Sequence, residues 1–316
     1  FNIHYHANEW PNAFALFLLM AWPILMMFAK KGNVFKIAVL IGFILSGLFL
    51  SFSRGALIAF FGQGVLFFIF YWKELKWKHI NLAALTVAVA LMLALTGSYL
   101  RSFSQPIIDV KARAEFNSSD GLTSVTERSD FFKGAIEISK DNLLIGTGPF
   151  SFRYAYNPIQ RTFLGNADHP HNIFLKLAAE NGLITLGAFV FFLISLFALI
   201  WKRWRSLTKN RRKAVFILSV SVLGAIAHSL IDYNLNFVAN FMMFFVILAL
   251  IRSLLIKRAL KINRPYVSAG VAIVLALIAI YEGSLLALET TVYDKSFLNH
   301  SLYPREFYLQ NADMNL

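Results

Sequence analysis

Residues Leu183 to Trp201 read LITLGAFVFFLISLFALIW, and Lys202, Arg203 and Arg205 follow directly. No charge interrupts the block. At about 1.5 Å per residue, a helix of this length nearly crosses a hydrocarbon core about 30 Å thick. A bilayer interior offers no partners for backbone N–H and C=O groups, so the block must be helical. Working outward, similar blocks run from Asn12 to Ala29, Ile37 to Phe52, Ala56 to Tyr71, Ile80 to Leu100, Ala214 to Ile231, Phe237 to Leu255 and Tyr266 to Leu288. The fold class expected is all-α: a polytopic transmembrane helix bundle with a long, partly helical external loop.

The composition agrees: 58% of the 316 residues are hydrophobic and only 15% charged, against about 25% in an ordinary soluble domain. A net charge of +13 would suggest nucleic-acid binding in a soluble chain. Here the cations sit in the linkers between apolar blocks, so no nucleic-acid partner is expected. The absence of cysteine excludes disulfides, cysteine-ligated zinc and thiol chemistry in this chain. The chain opens on Phe1 with neither Met nor a signal peptide, and is expected to be part of a longer bundle with further helices upstream.

Basic residues fill every second linker. Lys30, Lys31 and Lys36 follow the first block, and Lys73, Lys76 and Lys78 the third. Lys202 to Lys213 is strongly basic after the fifth, as is Lys257 to Arg264 after the seventh. The intervening short linkers, Ser53–Gly55 and Asp232–Asn236, hold one cation, Arg54. The positive-inside rule makes the basic linkers cytoplasmic. The start of the chain, the connection from Arg101 to Gly182 and the tail from Glu289 are then external. The expected organisation is membrane helices over 1–100, an external loop over 101–182, membrane helices over 183–288 and an external tail over 289–316.

Loops as long as Arg101–Gly182 are uncommon without a function. Its first part, through Thr123, is polar. From Ser124 the pattern becomes amphipathic: Thr126 is a candidate cap, and Phe131, Phe132, Ala135, Ile136 and Ser139 recur at helical spacing, which predicts a helix over Thr126–Ser139. Arg128 lies near its start. Gly146-Thr147-Gly148-Pro149 then permits a close backbone approach, although no Lys-Ser/Thr follows to make a phosphate loop. Asp168-His169-Pro170-His171-Asn172 runs straight into the next apolar stretch. Polar groups at the mouth of a membrane helix are costly without a use; a metal site would need a further ligand run that the segment lacks, so none is expected. Arg54 lies in a run that is apolar on both sides, Leu48–Phe52 and Ala56–Ile58. It reads equally as a snorkelling interfacial cation or as a clamp for phosphate oxygens.

Taken in order, Ser53-Arg54-Gly55-Ala56, Arg128 leading into Gly146-Thr147-Gly148-Pro149-Phe150, and His171-Asn172 followed by Glu180-Asn181-Gly182-Leu183 resemble the O-antigen ligase and O-antigen polymerase superfamily, which includes bacterial protein O-oligosaccharyltransferases. The resemblance covers about Asn12 to Leu255. It implies an inverting, metal-independent glycosyltransferase of the bacterial inner membrane with no cofactor. Its donor is an undecaprenyl-pyrophosphate-linked glycan, its acceptor a glycan, lipid A core or protein, and its active face periplasmic. It implies that Arg54 and Arg128 hold the pyrophosphate and that His171 acts in catalysis beside Asn172. Gly146 and Gly148 fall in the substrate-binding set, and Asp232 matches an acidic position at an external helix end. Thr185 replaces the second glycine of the family's Gly-x-x-Gly, and Asn142-Leu143 replaces a Pro-containing turn.

This implied chemistry is physically coherent. Two guanidiniums stabilise a pyrophosphate leaving group without a metal, and an imidazole, ordinarily near pKa 6.5, suits removal of an acceptor proton. His169, in the same turn, is the alternative base. The loop carboxylates are scattered rather than paired as in a glycosidase. A transporter or flippase for an anionic lipid-linked sugar is the competing reading. It would use the same arginines without chemistry, yet no internal repeat is visible.

Overall fold

The computed structural model describes residues 11–29, 33–102, 119–160 and 169–256. The block Tyr266–Leu288, the external tail, Lys30, Lys31 and Asp168 lie outside the described residues. Among these, every regular element is helical: α1 (Pro11–Leu25), α2 (Val34–Leu50), α3 (Arg54–Tyr71), α4 (Trp77–Ser102), α5 (Ser119–Asp141), α6 (Phe152–Tyr156), α7 (Ile173–Arg203), α8 (Lys209–Ser229) and α9 (Val238–Leu255), with short 3₁₀ turns between some of them. Among the described residues, six helical segments are long and apolar enough to cross a membrane, and α2, at 17 residues, is a shorter apolar helix. The chain is an all-α, polytopic helix bundle.

The helix α8 is the hub. It packs on α1, α3 and α9, while α2 pairs with α4 and α5 with α7. The helix carries a high proportion of small side chains: Ser221, Gly224, Ala225 and Ser229 are buried along it. Small residues let neighbouring backbones approach closely where lipid provides no hydrophobic drive between helices.

One polar tie crosses this core. Pro23 lies inside α1 and has no N–H for the carbonyl of Leu19, four residues earlier. The Gln63 amide of α3 donates to that carbonyl at 2.9 Å and to Val220 O of α8 at 3.1 Å. Its own carbonyl accepts from Trp22 Nε1 at 2.7 Å. A backbone group orphaned in lipid costs several kcal/mol, and Gln63 removes that cost while joining three helices. Gly224 leaves the space: a Cβ there would run into the Gln63 amide.

Two sequence expectations need correction. The helix expected over Thr126–Ser139 begins at Ser119, so Thr126 is interior rather than a cap. Its buried face is Phe131, Ala135, Ile138 and Ser139, whereas Ile136 is 45% exposed. The buried face thus keeps an i, i+4, i+7 rhythm, packing on Phe152, Tyr156 and Ala179. The helix α7 starts at Ile173, ten residues before the apolar block, and is broken at Gly182, whose φ of 79° and ψ of 170° are not helical. Leu183, where the fifth apolar block begins, is the first residue beyond that kink.

Candidate functional site

The end of α8 nearest Ser229 gathers the residues of interest. On one side, the chain turns between α2 and α3 through Ser51, Phe52 and Ser53, with Phe52 at φ 50°. Ser53 caps α3, its Oγ accepting from Ala56 N at 3.4 Å, and also lies 3.4 Å from His228 Nε2. Arg54 is therefore the first residue of α3 and is half-buried. Gly55 packs so closely on α8 that a Cβ would strike the Ile231 side chain. Both neighbours of Arg54 thus touch the turn that ends α8.

On a second side stands α5. Phe131, one turn after Arg128 on the same helix face, places its ring 5.9 Å from that of His171, nearly parallel. Arg128 is half-buried and close enough for its charge to act on His228. Among the described residues it has no ion-pair partner.

On the third side is the start of α7. Asn172 is its N-cap: Oδ1 accepts from Phe174 N at 2.9 Å and Leu175 N at 3.0 Å, and Nδ2 donates to Leu230 O at 2.8 Å. Capping satisfies helix amides that have no intrahelical acceptor, and the third bond ties α7 to the end of α8. These contacts give Asn172 a structural role in holding His171, which sits in the left-handed region at φ 48°. His171 Nδ1 lies 3.4 Å from Asp232 Oδ1, and Asp232 is almost fully buried. Burial alone would raise the Asp232 carboxyl. The hydrogen bond and charge of His171, the charge of His228 and the Tyr233 amide outweigh it and hold the group below its ordinary value. Tyr233 contacts both imidazoles, at 5.1 Å from the His171 ring and 4.3 Å from the His169 ring.

His169 is held differently. Its Nδ1 accepts from the Lys176 ammonium at 3.2 Å. Burial first, then the charges of Lys176 and His171, push it down to about 4. A pKa this low keeps the imidazole neutral near pH 7.

Sequence reasoning missed Lys176, Glu180 as a buried group, and His228. Lys176 and Glu180 are an i, i+4 pair, 3.5 Å apart and both nearly inaccessible. The Glu180 carboxylate accepts from Phe150 N at 3.0 Å and Phe152 N at 3.3 Å, fastening the glycine loop to α7. The only signal available was an i, i+4 charge pair on the helix that follows the two histidines. Gly146 (φ 69°) and Gly182 (φ 79°) serve the same junction: a Cβ at Gly146 would meet the Glu180 carbonyl, and one at Gly182 the Leu144 carbonyl. Gly148 (φ 107°) faces open space, and its N–H donates to Glu180 O at 2.8 Å. So Gly146 is a packing glycine in this structure.

Three side-chain atoms at this end, His228 Nδ1, Ser229 Oγ and Asn234 Nδ2, are buried without a hydrogen-bond partner among the described residues. Each unpaired buried group costs about 1–3 kcal/mol, and a polar ligand would offset part of that. No group of three His, Asp or Glu side chains suited to a metal is present among the described residues.

The arrangement pairs half-buried arginines from two different helices with an imidazole backed by a carboxylate. Residues 37–190 match the family model for O-antigen ligase. The matched stretch contains Arg54, Arg128, Gly146, Gly148, His171 and Asn172, and stops short of Asp232. No curated protein matches the chain. The match supports the O-antigen ligase superfamily for residues 37–190 of the chain.

Proposed function

We propose that the chain is the catalytic part of an inverting membrane glycosyltransferase that moves a glycan from undecaprenyl pyrophosphate to an acceptor hydroxyl on the periplasmic side. The observation that carries this reading is the end of α8, which brings the neighbours of Arg54, the charge of Arg128 and the His171–Asp232 pair to one place.

In this scheme Arg54 and Arg128 bind the donor's pyrophosphate oxygens, and their charge is worth most against the extra negative charge of the departing diphosphate. His171 donates its Nδ1 proton to Asp232, leaving the Nε2 lone pair to take the acceptor proton. The acceptor oxygen forms the new bond to the anomeric carbon as the glycosyl–phosphate bond breaks. The bonding pair leaves on undecaprenyl pyrophosphate. Asp232 stabilises the imidazolium that results, as a carboxylate does behind a hydrolase histidine. The contacts of His169 favour His171 as the base: Lys176 occupies the His169 Nδ1 lone pair and its charge disfavours a second proton there.

The same cations would serve a transporter that binds a lipid-linked sugar without chemistry. Release of undecaprenyl pyrophosphate separates the two. Full-length protein in liposomes with no gradient, given donor and acceptor, is expected to release it together with glycosylated acceptor. Movement of intact donor between leaflets, with no release, would establish the transporter instead.

A further inference from the structure

The turn after α5 exposes what a loop usually hides. Leu144 is 66% exposed, Ile145 80% and Phe150 73%. The turn is not slack. Leu143 O accepts from Leu183 N at 2.8 Å, and Gly146 N donates to Asn142 O at 3.0 Å. The Leu144 carbonyl fills the place of a Cβ on Gly182. The Phe150 amide is held by buried Glu180, and the Phe150 backbone is kept at φ 59°, an unfavourable region for an aromatic residue. A rigid backbone is therefore presenting apolar side chains outward.

What covers them follows from where the turn is fixed. Its anchor is the kink of α7, at Gly182 and Leu183. From Leu183 the helix is long and apolar enough to span a membrane, and along its most apolar stretch only 11% of the residues are buried in the bundle, which leaves a surface suited to lipid. The first residues of that surface, Leu183 and Ile184, are 45% and 63% exposed. The turn continues this lipid-facing surface at the level where the span begins.

We infer that Leu144, Ile145 and Phe150 form a tip that inserts into the bilayer leaflet on the side of the candidate site, with phospholipid acyl chains as its partner. Segments of this kind rest about 5–10 Å into the boundary between head groups and acyl chains. The tip anchors the segment between α5 and α7 to the membrane surface independently of any substrate.

The test uses the lack of cysteine in the chain. Ile145→Cys and, as a polar control, Asn157→Cys are each labelled with an environment-sensitive dye in nanodiscs of phosphatidylethanolamine and phosphatidylglycerol. Label at 145 is expected to be quenched by lipids carrying a shallow acyl-chain nitroxide and shielded from aqueous iodide several-fold better than label at 157. Iodide access equal to that at 157 would overturn the inference. Shielding from both quenchers would also overturn it, because the tip would then be covered by protein.

Discussion

His171 Nδ1 and Asp232 Oδ1 lie 3.4 Å apart although 61 residues separate them in the chain. Two bonds maintain the pairing: Asn172 Nδ2 ties the start of α7 to Leu230 O, and the Tyr233 amide donates to Asp232 Oδ1. In the proposed reaction the carboxylate holds the proton on Nδ1 and leaves Nε2 for the acceptor hydroxyl.

If the two act as a unit, their losses will not add. His171→Ala is expected to lower the transfer rate by about 10²- to 10⁴-fold, the usual contribution of general acid–base catalysis. Asp232→Asn is expected to lower it by at least about tenfold, with the double variant no slower than His171→Ala. Initial rates of acceptor glycosylation by the three proteins decide it. Additive losses would place Asp232 in a separate role.

Arg54 and Arg128 are assigned to a diphosphate, which a planar guanidinium grips with two parallel bonds and an ammonium does not. Arg54→Lys and Arg128→Lys are therefore expected to restore little of the activity lost in the alanine variants, while insertion and folding stay intact. Full rescue by lysine would mean that charge alone matters there.

The glycines divide by what surrounds them. Gly182→Ala and Gly146→Ala each force a Cβ into a neighbouring backbone at positive φ, and are expected to destabilise the fold strongly, by well over the ~1 kcal/mol of an ordinary helix glycine change. Gly187 has open space around it within α7. Gly187→Ala is expected to be neutral or to stabilise by up to about 1 kcal/mol. Thermal unfolding in detergent reads all three.

His169 supplies a pH prediction. Its folded pKa, about 4, lies below the ordinary 6.5. Between those values the unfolded chain binds a proton that the folded chain refuses, so stability falls as pH drops from about 6.5 to about 4. His169→Gln removes that contribution and is expected to flatten the dependence of Tm on pH across this window. An unchanged slope would show that His169 takes up its proton freely in the fold.

Much of this architecture was legible in the sequence because lipid imposes a simple rule. A span must be apolar for its whole length, and cations mark its ends, so seven of the eight apolar blocks correspond to helices among the described residues. Arg54 stood out for the same reason, as a charge in an apolar run. The rest depended on partners distant in sequence. Lys176 and Glu180 stand at a spacing that exposed helix faces also show, yet both are buried because one meets His169 and the other the amides of Phe150 and Phe152. Gln63 has meaning only beside the carbonyl that Pro23 leaves without a donor. The kink at Gly182 was hidden because nothing in the sequence shows that the Leu144 carbonyl comes to lie where its Cβ would be.

The central claim is tested most directly by assaying the full-length protein, purified in lipid, for transfer of glycan from undecaprenyl pyrophosphate to acceptor, alongside Arg54→Ala, Arg128→Ala and His171→Ala. The account predicts that each substitution abolishes transfer while the protein remains folded and inserted. Undiminished transfer by all three variants would contradict it.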